Sequence, residues 1–316
     1  MKMFKNKAIK YVVSGVLSLA LLFLLFKVVN LKTLGFVLNH TNYVLICVCF
    51  VLYGVIYLIR SIRFKILLSD KINISNLFVI NCLHNFYNTA LPGRLGELSF
   101  PYFASKYASV SKTESFTQLI VARFIDLSIT VLFFLISLVF YVDNIYWKVF
   151  LIIASAIVLV LTFLNFLLPK IILKFFNKIK HPQLKFLDKI TLALNDIRDF
   201  TKGEKIKIIC WSLALNFLMF LFGYIMMRSL GYPLTMVEVF IAGTASSVTT
   251  LLPINSFFNI GTQEAGWAAA FTSIGLSLQD AATSGVAYHI INLIFTCVLF
   301  LIGYIIYTAR SLNKEY

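Results

Sequence analysis

The sequence predicts an all-α polytopic membrane protein. Of its 316 residues, 60% are hydrophobic and 13% are charged, whereas about 25% of the residues in an ordinary soluble domain are charged. Apolar runs long enough to cross the ~30 Å hydrocarbon core of a bilayer recur along the chain. Two other apolar stretches contain Pro, Gly and Glu, which is typical of broken helices inside membrane proteins.

Six apolar runs predict full spans. They are residues 11–29, 43–59, 116–142, 150–168, 208–227 and 281–307. Lys residues precede the first run, and Arg60, Arg63 and Lys65 follow the second, so both basic clusters lie on the same side of the membrane. The positive-inside rule makes that side cytoplasmic, and it predicts that both termini are cytoplasmic.

Two further apolar segments, residues 76–107 and 234–276, are expected to form hairpins. Their arms are too short to span: residues 76–90 reach about 22 Å as a helix, less than the thickness of the hydrocarbon core. We interpret both segments as re-entrant or broken-helix hairpins. If they are counted as spans instead, the chain has eight helical segments.

The order of these segments predicts three regions. An N-terminal membrane half (1–169) contains the first hairpin, and a C-terminal half (208–316) contains the second. Between them, residues 170–207 form a basic amphipathic stretch of the kind that lies on an anionic cytoplasmic membrane surface. Each half has the order span, hairpin, span, and the hairpins enter from opposite sides, so we expect an inverted repeat.

The first hairpin is interrupted by Asn-Thr-Ala-Leu-Pro-Gly-Arg-Leu-Gly-Glu at residues 88–97. Pro92, Gly93 and Gly96 are the predicted helix break. Arg94 and Glu97 would each cost about 2.5–3.5 kcal/mol in hydrocarbon, so protein or water has to cover them. They either bind a lipid headgroup or an ion, together with Asn88, or pair with each other to hold the loop.

The second hairpin carries a weaker copy of this pattern, with Pro253 and Gly261 as the predicted break and Glu264 after it. Glu264 either contributes to the same binding site or acts as the N-terminal partner of a half-helix, where a carboxylate is favourable.

Four more polar residues in apolar runs are candidates. Arg123 and Asp126 share a helix face and are expected to form a pair that faces the protein interior, either as structure or as part of the site. His84 and His289 either relay protons or make interhelical hydrogen bonds.

Other classes of site lack support in the sequence. The five Cys residues show no metal-ligand or disulfide spacing, and no nucleotide-binding or nucleophile motif appears. We therefore expect no cofactor, no metal and no catalytic residue. The net charge of +15 indicates anionic lipid rather than nucleic acid as the partner, because the basic residues flank apolar spans.

Four stretches resemble the lysylphosphatidylglycerol synthase transmembrane region, a family of flippase-like membrane proteins in bacteria and archaea. They are residues 58–68, 88–97, 122–127 and 252–264. The Pro-Gly-Arg-x-Gly-Glu run is the most specific of them. The chain departs from the family pattern at Ala122, where a Glu is frequent, and at Phe257 and Phe258, which are bulky where a small residue is usual.

The resemblance implies movement of a lipid with a charged or glycosylated headgroup between leaflets of the cytoplasmic membrane of a bacterium or archaeon. Phosphatidylglycerol, an aminoacyl-phospholipid and a polyprenyl-phosphate lipid are the candidate substrates, and a stand-alone member without the soluble aminoacyl-transferase domain is expected. Two alternatives stay open. One is a membrane enzyme that acts on a lipid-linked sugar or aminoacyl lipid. The other is a non-transporting scaffold for a separate transferase. The chain is also expected to form a homo-oligomer or to bind such a transferase as a partner.

Overall fold

The computed structural model describes residues 31–107, 110–167, 200–251 and 256–312. Within those ranges the chain is helical, with no strand. The α-helices are α1 (Leu31–Asn39), α2 (Tyr43–Leu67), α3 (Ile74–Ala90), α4 (Ser99–Tyr107), α5 (Lys112–Tyr141), α6 (Ile145–Leu167), α7 (Lys202–Ser229), α8 (Met236–Leu251), α9 (Thr262–Ser273) and α10 (Leu278–Leu312). Two short irregular helical turns, Pro92–Leu98 and Phe257–Asn259, are called the first and second break.

The long helices confirm the all-α polytopic fold. In the described part of the chain, α2, α5, α7 and α10 are long and apolar enough to cross a membrane, and they coincide with four of the predicted spans. A fifth predicted span, residues 150–168, falls almost wholly within α6. The first, residues 11–29, lies outside the described residues. The full span count and the inverted repeat stay predictions.

The predicted hairpin arms are separate, shorter helices. The segment predicted as the first hairpin contains α3, with 17 residues, and α4, with 9. The second consists of α8, with 16 residues, and α9, with 12. α8 packs directly against α9, and α9 packs against α10.

Most of the predicted linker, residues 170–199, lies outside the described residues. Its predicted end at 207 falls inside α7, which begins at Lys202. The Thr201 hydroxyl accepts a hydrogen bond from the Glu204 backbone N–H, and the Glu204 carboxylate accepts one from the Thr201 N–H at 2.8 Å. This reciprocal capping box starts the helix ahead of its apolar part.

The described residues form two compact units, each drawing on both predicted halves. Unit 1 comprises those within Met1–Tyr57, Val79–Ser99 and Leu218–Tyr316, and unit 2 those within Leu58–Phe78 and Phe100–Phe217. An aromatic group of Tyr53, Phe222 and Phe295 packs α2, α7 and α10 together in unit 1. In unit 2, the rings of Phe64 and Phe100 lie 4.4 Å apart.

Candidate functional site

The first break turns the chain sharply after α3. Pro92 begins it, because proline lacks the N–H that would continue the preceding helix. Gly93 and Arg94 follow with φ of 61° and 60°, in the left-handed region that glycine tolerates and most other residues avoid. Because Arg94 has this left-handed backbone conformation, its side chain leaves the backbone in a different direction from that of a residue in a regular α-helix.

Gly96 lets the chain fold back onto α3. A Cβ atom at this position would lie 2.1 Å from the Tyr87 carbonyl oxygen and 2.3 Å from Asn88 Cα, so only glycine fits. Just beyond it, the Ser99 hydroxyl donates to the Gly96 carbonyl at 2.6 Å, and His84 Nδ1 lies 3.0 Å from the same hydroxyl oxygen. His84 thus ties α3 to the start of α4.

Arg94 and Glu97 pair with each other within the first break. Arg94 Nη1 lies 3.3 Å from Glu97 Oε1, and the two side chains are 26% and 23% exposed. The distance is long for an ion pair, because charge-assisted bonds between these groups are normally about 2.7–2.9 Å. The pair holds the loop, as one of the two interpretations expected, and remains accessible.

The second break has a similar backbone. Phe258 and Asn259 adopt φ of 51° and 57°, and Gly261 adopts φ of 87°. Ser256 donates its hydroxyl to the Ile260 carbonyl at 2.5 Å, which closes the turn. Pro253, the other residue predicted to break this hairpin, lies outside the described residues.

Glu264 joins the second break to α10. One carboxylate oxygen accepts from the Gly261 backbone N–H at 2.7 Å, which caps α9, and the other lies 2.5 Å from His289 Nδ1. Glu264 is 5% and His289 2% exposed. Glu264 is therefore the helix-terminus partner that the sequence allowed, and His289 makes an interhelical hydrogen bond.

The two breaks contact each other within unit 1. The ring of Phe86 on α3 meets Phe258 edge to face at 6.3 Å and stacks on Phe300 of α10 at 4.0 Å. Pro92 is buried at this contact region and Gly93 is exposed. The predicted residues Asn88, Arg94, Glu97, Gly261 and Glu264 all lie in unit 1, in or next to two breaks that contact each other.

The predicted Arg123–Asp126 pair needs correction. Both residues belong to unit 2, where Arg123 is exposed. Both Asp126 oxygens instead accept hydrogen bonds from Arg63, which is 2% exposed, with Nη2 at 3.0 Å from Oδ2. The reason is geometric. A guanidinium on a facing helix can donate to both carboxylate oxygens at once, whereas Arg123, one turn away on the same helix as Asp126, is less well placed to do so.

Arg63 is the residue that sequence reasoning missed. The sequence places it in the basic cluster that follows the second predicted span, and it also falls within the resembling stretch 58–68. Its Nη1 also donates to Ser212 at 3.1 Å, while Asn216 donates to Asp126 at 3.3 Å. The network therefore joins α2, α5 and α7 in unit 2 and is largely buried.

Comparison with known proteins adds one match. The family model described as lysylphosphatidylglycerol synthase TM region matches residues 10–299. That range contains both breaks and the Arg63–Asp126 network. No curated protein and no solved structure matches the chain.

Proposed function

We infer the function from one premise: the chain belongs to the family of the lysylphosphatidylglycerol synthase TM region. It is a multi-pass membrane protein of a family connected with lipid synthesis or flipping. Within that range, we propose a flippase-like transporter. It moves a lipid with a charged or glycosylated headgroup between the leaflets of the cytoplasmic membrane.

One observation carries this proposal. The Arg94–Glu97 pair is ionisable, about a quarter exposed, and sits on a broken helix that contacts a second broken helix. Ionisable side chains among membrane helices are costly and mark functional sites by default. Paired helix breaks are where transporters bind their substrates.

Each group suits a part of a lipid headgroup. Arg94 offers a planar set of donors that matches a phosphate. Glu97 accepts from an ammonium or a sugar hydroxyl. The N-terminus of α9 adds the partial positive charge of its backbone N–H groups. The acyl tails stay in the bilayer while the headgroup passes the breaks.

A vesicle assay tests the proposal. The purified protein is reconstituted with a fluorescent lipid, and a membrane-impermeant quencher measures how fast the lipid changes leaflet. We expect faster transfer than in protein-free vesicles for at least one of phosphatidylglycerol, its aminoacyl forms and polyprenyl phosphates. Transfer at the protein-free rate for every lipid in this panel would refute it.

Matched variants assign the site. Arg94→Ala and Glu97→Gln should each slow transfer at least tenfold. Arg228→Ala and Asp143→Asn, which remove the same charges from exposed positions, should leave it unchanged. If the site and control variants slowed lipid transfer equally, the cause would be the change in net charge, and the role assigned to the breaks would be wrong.

A further inference from the structure

Two amide oxygens near the breaks lack hydrogen-bond donors. Asn88 Oδ1 on α3 and Asn259 Oδ1 in the second break are both buried, and neither accepts a hydrogen bond from any group in the described part of the chain. Buried carbonyl oxygens of this kind are rare in folded proteins, because each has given up its hydrogen bonds to water without a replacement. Two such oxygens at helix breaks that contact each other call for a common explanation.

Both asparagines lie where the two breaks meet. Asn88 packs against Gly96, at the point where the first break folds back onto α3. Asn259 is the last residue of the second break, which contacts the first. Phe86 and Phe258, the near neighbours of these asparagines in sequence, have their rings 6.3 Å apart.

The charged side chains around the breaks already have partners. Arg94 pairs with Glu97. One oxygen of Glu264 accepts from the Gly261 N–H, and the other lies 2.5 Å from His289 Nδ1. What remains for a guest is the pair of neutral amide oxygens, which attract a cation and repel an anion.

We propose that the two breaks form a binding site for a monovalent alkali-metal ion, with Asn88 Oδ1 and Asn259 Oδ1 as ligands. Amide and backbone carbonyl oxygens at interrupted helices are suitable ligands for such ions. A divalent ion is disfavoured, because calcium and magnesium sites draw on several carboxylates, whereas the two carboxylates at these breaks, Glu97 and Glu264, already have partners. The ion would fix the relative position of the two breaks.

Thermal unfolding in detergent tests the site directly. The protein is melted in NaCl, KCl and choline chloride at equal ionic strength, so that screening is the same and only the small cation changes. A ligand that binds the folded state alone raises the melting temperature as its concentration rises. We expect the melting temperature to rise with Na⁺ or K⁺ relative to choline; three equal curves would overturn the proposal.

Variants identify the ligands without straining the backbone. Asn88→Ala suits a helix, and Asn259→Gly suits the left-handed φ of 57°. Each should raise the half-maximal cation concentration at least tenfold. Asn39→Ala, an exposed helical asparagine, and Ser69→Gly, an exposed residue at φ 51°, should keep the wild-type response. A response lost in only one of the two site variants would contradict a site shared by both oxygens.

A third variant, designed to bind the ion more tightly, tests the site even if Asn88→Ala or Asn259→Gly fails to fold. Asn88→Asp keeps an oxygen in place and adds negative charge, so it should lower the half-maximal cation concentration; a higher value would contradict the assignment.

The ion site does not rest on the proposed function, since the melting assay contains no vesicles. Lipid transfer without any cation response would overturn the site alone, and a cation response without lipid transfer would overturn the function alone.

Discussion

Replacing Gly96 by alanine is the sharpest test of the first break. The added Cβ would lie 2.1 Å from the Tyr87 carbonyl oxygen and 2.3 Å from Asn88 Cα. Both obstacles are backbone atoms of α3, so no side-chain rotation relieves the clash. The break must move away from α3, and the His84–Ser99 hydrogen bond at 3.0 Å, just beyond it, should be lost or lengthened.

The expected cost follows from that geometry. Inserting a methyl group into packed structure typically costs about 1–3 kcal/mol, and more when the neighbours are fixed. We expect ~3 kcal/mol or more for Gly96→Ala, which corresponds to a fall in melting temperature of about 6–12 °C for a chain of this size. Lipid transfer should fall as well, since the break carries Arg94 and Glu97.

Gly54→Ala is the matched control. Gly54 lies in α2, and no atom lies within 4 Å of the position that a Cβ would take there, so alanine should be neutral or should stabilise by about 0.5–1 kcal/mol. Both variants are compared with wild type by thermal unfolding in the same detergent. A Gly96→Ala melting temperature within about 1 °C of the Gly54→Ala value would refute the close packing of the break on α3.

Variants at three further sites are measured by the same unfolding assay. Arg63→Ala and Asp126→Asn should each destabilise by ~3–5 kcal/mol, because each leaves its buried partner uncompensated, whereas Arg63→Met combined with Asp126→Leu should recover most of the loss; additive losses would contradict the pairing. Glu264→Gln should lower stability by about 1–2 kcal/mol, since it can still cap α9 but loses the charged bond to α10; a more stable variant would show that the buried charge is a net cost. Gly285→Ala should destabilise by ~1–3 kcal/mol, because its Cβ would lie 2.8 Å from the Trp267 ring; an unchanged melting temperature would mean that the ring yields.

The helix breaks were predictable because their cause is local. Pro92 and Gly93 interrupt a helix by their own covalent structure, and Arg94 with Glu97 makes a continuous lipid-facing span unfavourable. The capping role of Glu264 is also local, since a carboxylate three residues into a helix reaches the first N–H groups. What the sequence did not reveal was the need for glycine at 96, which arises from contact with Tyr87, on the other side of the turn.

The ion-pair partners were less predictable because they depend on which helices face each other. Arg123 and Asp126 are close in sequence, so the local rule paired them. The actual partner, Arg63, is 63 residues away from Asp126, and no periodicity within α2 or α5 specifies that contact. His289 and Glu264, 25 residues apart, illustrate the same limit: the sequence marked both as polar residues in apolar runs, without joining them.

The two arginine–carboxylate pairs should respond in opposite ways to mutation, which separates a structural pair from a binding one. Arg63 is 2% exposed and makes bidentate contact, whereas Arg94 is 26% exposed and lies 3.3 Å from its carboxylate. Partly exposed pairs contribute about 0–1 kcal/mol, so a headgroup phosphate can displace Glu97 at little cost. Arg94→Ala should therefore slow lipid transfer while changing the melting temperature by no more than about 2–4 °C. Arg63→Ala should act mainly by lowering the melting temperature. If Arg94→Ala unfolds the protein as readily as Arg63→Ala does, the Arg94 pair is structural and the binding role assigned to the first break is wrong.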